Sequence, residues 1–270
     1  MEIQSYLERI NIDLNINIDV NFNSLKLIQK QHLLTVPFEN LDIHLNNNIK
    51  TDVQSLYRKI VIEKRGGICY ELNWLLSYLL KSIGFSVKVL GGKVIEPKGS
   101  YFDHMLILVN LNEKKYIVDV GFGDNFLEPL EFELDIVQKD NKGLFKIVSI
   151  DKTHFELMKY SQELNNFKRE YIFKTKEMQM NNFKDRINYF THNDESIFKK
   201  NIFCSLEKED GRISLKHDKL ISTNMKVKSI EKINSSNEYI IYLNDKFKIQ
   251  LDPCEYKKIK KIWKKKSSEN

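Results

Sequence analysis

Arg65-Gly-Gly-Ile-Cys69-Tyr-Glu-Leu-Asn73, continued by Trp74-Leu-Leu-Ser-Tyr-Leu-Leu-Lys-Ser-Ile83-Gly84, sets the architecture of this 270-residue chain. Leu72, Leu75, Leu76, Leu79, Leu80 and Ile83 recur at the three- and four-residue spacing of a helix with one apolar stripe. Gly84 supplies a C-terminal stop, and Gly66-Gly67 breaks the chain just before the helix begins. Upstream, Leu25, Ile28, Leu33 and Val36 repeat at near-helical spacing until Pro37 ends the run, so the first ninety residues read mainly as helix. Downstream the period changes to two. Strand-like runs cover Phe85 to Leu90, His104 to Leu111, Tyr116 to Val120, Leu144 to Ile150, Phe155 to Tyr160 and Glu170 to Lys174. A loop around Thr191 to Ser196 precedes a last set of strand-like runs at Ile197 to Leu206, Val227 to Ile233, Tyr239 to Leu243 and Phe247 to Leu251. From Cys254 the chain reads as a short lysine-rich helix. The order is helices, then a β region, then an α+β tail.

Composition narrows the class. A hydrophobic fraction of 41% is too high for disorder, and four prolines with ten glycines exclude collagen-like or linker-rich chains. The longest apolar runs fall far short of the roughly 18 to 20 residues a membrane span needs, so no membrane partner is expected. Met1-Glu-Ile-Gln-Ser-Tyr6 lacks the basic-then-apolar pattern of a signal peptide. Cys69, Cys204 and Cys254 are odd in number and far apart, which argues against a disulfide framework; without a CxxC pair, no metal site is expected. A reducing cytoplasm fits. The chain has no alanine, so its helices depend on packing more than on intrinsic propensity.

Three residues suggest chemistry. Cys69 opens the apolar helix, where free N–H groups and the macrodipole favour a negative sulfur; a lone Cys there reads equally as a small buried hydrophobe. His104 to Leu111 and Tyr116 to Val120 form a β-hairpin in which facing positions sum to 225. Asp119 then lies opposite Leu106, with His104 its diagonal neighbour on the same face, close enough for an imidazole–carboxylate hydrogen bond. A slip of one residue would place the two on opposite faces. As a set, Cys69 serves as nucleophile, His104 as base and Asp119 as the group that fixes the imidazole. The arrangement resembles the papain and transglutaminase plan of cysteine acyl transfer. It leaves open whether water, an amine or another thiol accepts the acyl group.

The surrounding residues are more specific. Arg65-Gly-Gly-Ile-Cys-Tyr-Glu-Leu-Asn73 resembles the RGGxCxELN signature of the arylamine N-acetyltransferase family, and Val36-Pro-Phe-Glu-Asn-Leu-Asp42 is similar to its PFENLD segment. His104-Met-Leu-Ile-Leu-Val109 and Val118-Asp-Val-Gly-Phe-Gly123 are similar to its HMxLLV and VDVGFG motifs. The resemblance implies an α+β fold in three parts: a helical bundle over 1–84 carrying the nucleophile, a β-barrel-like part over 85–190 carrying His104 and Asp119, and an α/β lid over 191–270. It also implies an acetyl-coenzyme A cosubstrate and ping-pong transfer from Cys69 to an arylamine or arylhydrazine.

The resemblance assigns further roles. Phe38 and Phe203 are expected in an aromatic-lined acceptor pocket, and Ser100, Gly121 and Gly123 near the coenzyme A donor. Glu39 and Arg65 are expected to pair and brace the Cys69 helix. Asp103 departs from the family, which often carries a small or hydroxyl residue before the histidine. The rival readings are a cysteine amidase or peptidase with the same triad, and a non-catalytic basic binding protein. The second of these draws on a net charge of +6, but residues 257–266 hold seven lysines and no acid, which leaves the other 260 residues at −1. A solvated helix face therefore outranks a nucleic-acid patch, and no nucleic-acid partner is expected.

Overall fold

The computed structural model describes residues 1–96, 99–225 and 227–268; the last two residues of the expected third part lie outside the described residues. The helical part comprises α1 (Ile3–Arg9), α2 (Phe22–Thr35), a two-residue strand β1 (Phe38–Glu39), α3 (Leu41–Leu45), and α4 (Val53–Tyr57), which runs into a π-helical turn at Arg58–Ile62. Then comes α5 (Cys69–Ile83). Asn21 caps α2 by accepting from the Ser24 amide at 2.9 Å. On α5, eleven of fifteen residues are buried, and Gly84 ends the helix at φ 115°. Each buried Leu of its stripe stabilises the fold by about 1.5–3 kcal/mol.

The β region holds β2 (Ser86–Val94), β3 (His104–Leu111), β4 (Lys114–Val118), β5 (Leu130–Glu131), β6 (Gln138–Asp140), β7 (Gly143–Ser149), β8 (His154–Ser161) and β9 (Asn166–Lys174). They form one antiparallel sheet in the order β5-β4-β3-β2-β9-β8-β7-β6. The Gln138 side chain on β6 bonds the Glu131 backbone of β5 at 2.8 Å, tying the two end strands and making the sheet near to a barrel. Side-chain alternation sorts its faces. Met105, Ile107 and Val109 pack against the helices, whereas Leu106 and Leu108 face an interior filled by Phe145, Tyr171 and Phe173. Ile107 pairs with Val118 and Leu108 with Ile117, the register that sums to 225. The β3–β4 hairpin turns on Asn112 at φ 54°, as a two-residue loop requires.

After a 3-10 turn at Met180–Phe183 come α6 (Lys184–His192), which runs across residue 190, and α7 (Ile197–Lys200). A second antiparallel sheet follows from β10 (Phe203–Lys208), β11 (Gly211–Lys216), β12 (Lys219–Asn224) and β13 (Val227–Lys232). Its first strand pairs with β1, so the helical part and the tail share a sheet. The chain closes with α8 (Ser236–Phe247) and α9 (Pro253–Ser268).

Three expectations for the tail are corrected. Tyr239 to Leu243 belongs to α8, because Tyr239, Ile240, Leu243 and Phe247 bury at helical spacing and Ser235 caps the helix through the Glu238 amide at 3.1 Å. Phe247 to Leu251 is a helix end rather than a strand, with Lys248 in the left-handed region at φ 59°. Ile197 to Leu206 is split into α7 and β10 because Ser196 caps a turn of helix there. In α9, Ile259 and Trp263 are buried while the lysines flanking them are largely exposed, the docked amphipathic helix the lysine run suggested. Among the described residues no helix is long and apolar enough to cross a membrane.

Candidate active site

Cys69 is the first residue of α5 and only 3% exposed. Glu71 turns back on the helix start, accepting from the Ile68 amide at 3.1 Å, so the first turn is pinned from within. The loop after β4 packs directly on this turn. A Cβ at Gly121 would fall 2.6 Å from the Cys69 Cα and 2.8 Å from the Asn73 Nδ2, so only glycine permits the approach. The close contact of Gly121 is thus with the helix that carries Cys69.

That loop brings in the other two residues. His104 Nε2 lies 2.7 Å from Asp119 Oδ2, and the Cys69 sulfur is near enough to the imidazole to favour its protonated form. The Asp103 carbonyl oxygen lies 3.9 Å from the Cys69 sulfur and accepts from it when the sulfur is a thiol. All three side chains are buried. Burial alone would pull the imidazolium down; the Asp119 carboxylate and the sulfur overcome it and push His104 up to about 10. Asp119 is itself held by several donors. Oδ2 accepts from the Tyr171 hydroxyl at 3.1 Å, and Oδ1 from Asn73 Nδ2 at 3.0 Å and the Gly121 amide at 2.9 Å. Burial, followed by the Asp119 charge, keeps the Tyr171 phenol well above its ordinary range and therefore a donor. The faces of the His104 ring are filled by Phe122 and Tyr171, each 5.0 Å away between centroids. Such an assembly holds a carboxylate, an imidazolium and a sulfur in line, away from bulk water.

Phe38 and Phe203, expected on the acceptor side, stack with centroids 5.6 Å apart and planes 9° from parallel, a result of the β1–β10 pairing. Phe198 and Phe190 extend the run of rings at 5.7 and 4.8 Å. Both Phe38 and Phe203 keep partial exposure, so the run ends in an aromatic surface that solvent or a ligand can reach.

A family model described as N-acetyltransferase matches residues 21–256 of the chain. The chain belongs to the arylamine N-acetyltransferase family. A pineal-gland arylamine N-acetyltransferase isozyme of Gallus gallus is 33% identical over 93% of this chain and 95% of its own length. The Escherichia coli arylamine N-acetyltransferase is 39% identical over 48% of this chain and 47% of its own. Among solved structures, arylamine N-acetyltransferase C from Bacillus anthracis superposes with a TM-score of 0.82 at 27% identity, covering 92% and 98% of the two chains. The Mycobacterium marinum enzyme, solved in complex with CoA, superposes at 0.86 over 97% and 99%; its 22% identity speaks to the fold alone. Membership makes this chain an acyltransferase and sets aside the non-catalytic binding protein.

Other residues of this N-acetyltransferase are placed as follows. Arg65 Nη2 lies 2.9 Å from Glu39 Oε1 and 3.3 Å from Asp42 Oδ1. Lys59, unassigned from sequence, continues the cluster, with Nζ 2.7 Å from Asp42 and 2.8 Å from Glu71. Glu71 at the third position of a helix that begins without a capping side chain was a readable signal for this cluster; Lys59 carried none. Gly123 sits at φ 22°, and a Cβ there would come 3.2 Å from the Arg212 guanidinium. Ser100 is exposed, and its amide donates to the Asp103 carboxylate. Asn73 and Tyr171 were also missed. Asn73 was legible as a polar residue one turn after Cys69, on the same face of an apolar helix. Tyr171 lies on β9, far from Asp119 in sequence, with no local signal.

Proposed function

We propose that the chain transfers an acetyl group from acetyl-coenzyme A to an arylamine or arylhydrazine in two half-reactions, through an acetyl-Cys69 intermediate on the papain and transglutaminase plan. The Cys69–His104–Asp119 line carries this reading, because it supplies a sulfur nucleophile with its proton already stored on a neighbouring imidazole. Cys69 attacks the thioester as thiolate, coenzyme A departs with its sulfur taking the proton that His104 held, and Asp119 fixes the now neutral ring through Nε2. The α5 macrodipole adds a favourable field at the sulfur. In the second half-reaction His104 accepts the proton that the incoming amine must lose, and Cys69 departs as thiolate. Phe38 and Phe203 offer an apolar stack for an aryl ring beside this line.

The donor supplies an activated thioester and several phosphate charges. A cavity of about 880 Å³ beside the catalytic loop fits such an anion. Lys139, Lys142, Lys159, Arg212 and Lys228 line it against Asp124, Asp140 and Asp210, an excess of positive charge. Arg212 ties the cavity to Gly123, two residues from the loop's contact with Cys69. These residues would hold the phosphates, with Gly121 and Gly123 keeping the loop slim beneath them.

Mass spectrometry after mixing the protein with acetyl-coenzyme A tests the reading. The expected result is one acetyl group on the peptide containing Cys69, discharged by an aniline or an aryl hydrazine. An unlabelled Cys69 would sink it, and an acetyl group lost to water as fast as to amine would favour the hydrolase.

A further inference from the structure

The acetyl-transfer chemistry leaves unused an ion pair beside the nucleophile. Asp103 is 6% exposed, and its Oδ1 is paired with Nη2 of Arg186 on α6. The same carboxylate folds back on its own turn, accepting from the Ser100 amide, while the Asp103 amide donates to the Ser100 carbonyl at 3.2 Å. The turn is tightly specified. Phe102 is in the left-handed region at φ 68°, its carbonyl accepts from the Tyr70 hydroxyl at 2.7 Å, and a Cβ at Gly99 would collide with the Asp103 carboxylate. Arg186 is held from its other side, its guanidinium 4.3 Å from the Tyr189 ring centroid and 4.9 Å from that of Phe190. At the end of this turn the Asp103 carbonyl oxygen lies 3.9 Å from the Cys69 sulfur, and the next residue is His104.

We propose that Asp103 and Arg186 are positioning residues. Their pair holds the Ser100–Asp103 turn with its last carbonyl against Cys69, and it neutralises a second carboxylate beside the Cys69–His104 couple. The proposal rests on the acetyl-transfer reading for the use made of Cys69. Alternation along the chain turns Asp103 away from His104, toward the helices, and α6 meets it there with a cation. A small or hydroxyl residue at 103 would need no such partner. The charged and titratable groups facing Cys69 and His104 are Asp119 after β4, Tyr171 on β9, Tyr70 on α5 and this pair. Removing one member of the pair therefore leaves the charge of the other uncompensated beside Cys69 and His104.

The two single variants then act in opposite directions, which a merely structural pair does not predict. Asp103→Asn retains an acceptor for the Ser100 amide and leaves the Arg186 cation uncompensated, favouring a negative sulfur. Arg186→Gln leaves the carboxylate uncompensated, disfavouring it. The experiment is the pH profile of Cys69 alkylation by iodoacetamide on the full chain, followed by mass spectrometry of the Cys69 peptide because Cys254, which is exposed, is alkylated as well. The expected result is a shift to lower pH for Asp103→Asn and to higher pH for Arg186→Gln, each by about half to one unit, with the double variant back near the parent and Arg186→Lys close to it. Shifts in the same direction, or none while the melting temperature falls, would overturn the proposal. If Arg186→Gln fails to fold, the direction of the Asp103→Asn shift decides alone. Alkylation needs no acetyl donor, so a parent that alkylates normally but never acetylates would refute the acetyl-transfer reading and leave this one standing.

Discussion

Two buried polar clusters meet at the first turn of α5, and they use charge in different ways. On one side Glu39, Asp42 and Glu71 are paired with Arg65 and Lys59, cations that stay charged at any ordinary pH. On the other, Asp119 is paired with His104, a cation that can give up its proton. The first cluster reaches across the fold, joining α3, the π-helical turn, α5 and, at 3.7 Å, Glu255 of α9. The second is local, assembled from α5, a hairpin and one strand of the same sheet. Permanent charges fix where the helix sits; a titratable pair stands beside the sulfur of its first residue.

The largest test breaks the titratable cluster. Asp119→Asn keeps the shape but removes the charge that holds the imidazolium, and kcat/KM should fall by about 10⁴ with little change in melting temperature. A loss below tenfold in steady-state assays would put the carboxylate outside the mechanism. Lys59→Met breaks the permanent cluster instead. It leaves Asp42 and Glu71 buried with one cation fewer, and chemical denaturation should show a loss of about 3–5 kcal/mol. Acetylation per folded molecule should change far less than in Asp119→Asn; an equal loss in both would erase the distinction between the clusters.

The clusters should also fail at opposite ends of the pH scale. In Asp42 burial raises the carboxyl, but Lys59 and Arg65 more than reverse it and bring it down to about 2. Its contribution is present above the ordinary carboxylate value of 3.8 and is lost as pH falls toward 2, on the order of 2 kcal/mol. For His104, raised to about 10, the stabilisation is full below 6.5 and disappears as pH rises through 10. Unfolding midpoints measured across pH should therefore drop on the acid side in the parent and in Asp119→Asn alike, while the alkaline drop is blunted in Asp119→Asn. The smallest effect is expected from Tyr171→Phe, which takes one of several donors from Asp119. It should cost about 1 kcal/mol, a fewfold to tenfold loss in kcat/KM, and an unchanged rate would show that the other donors suffice.

Much of the Cys69–His104–Asp119 cluster was legible because it is built from short-range periodicities. The α5 stripe, Gly84 and the 225 register of the hairpin place Cys69, His104 and Asp119 on defined faces before any packing is known. The strand reading of Tyr239 to Leu243 failed for the complementary reason. Five residues rich in Ile and Tyr fit either period, and it was the Ser235 cap and the more distant Phe247 that settled the helix. Strands β11 and β12 and helix α6 were missed because each carries only two or three apolar residues, too few to mark a face strongly. The permanent cluster was half legible, through Glu39 and Arg65 in adjoining motifs, while Lys59 lay on a π-helical turn that no spacing rule anticipates.

By itself the sequence determined the helix that presents Cys69, the hairpin that joins His104 to Asp119, and the amphipathic lysine-rich end, since each depends on which residues share a face within one element. Only the tertiary structure decided that Phe38 stacks on Phe203, that Tyr171 and Asn73 hold Asp119, that Lys59 completes the buried charges, and that Arg186 meets Asp103. Those contacts join elements far apart in the chain. Local periodicity fixes the direction of a side chain; which partner it meets follows from how whole faces pack.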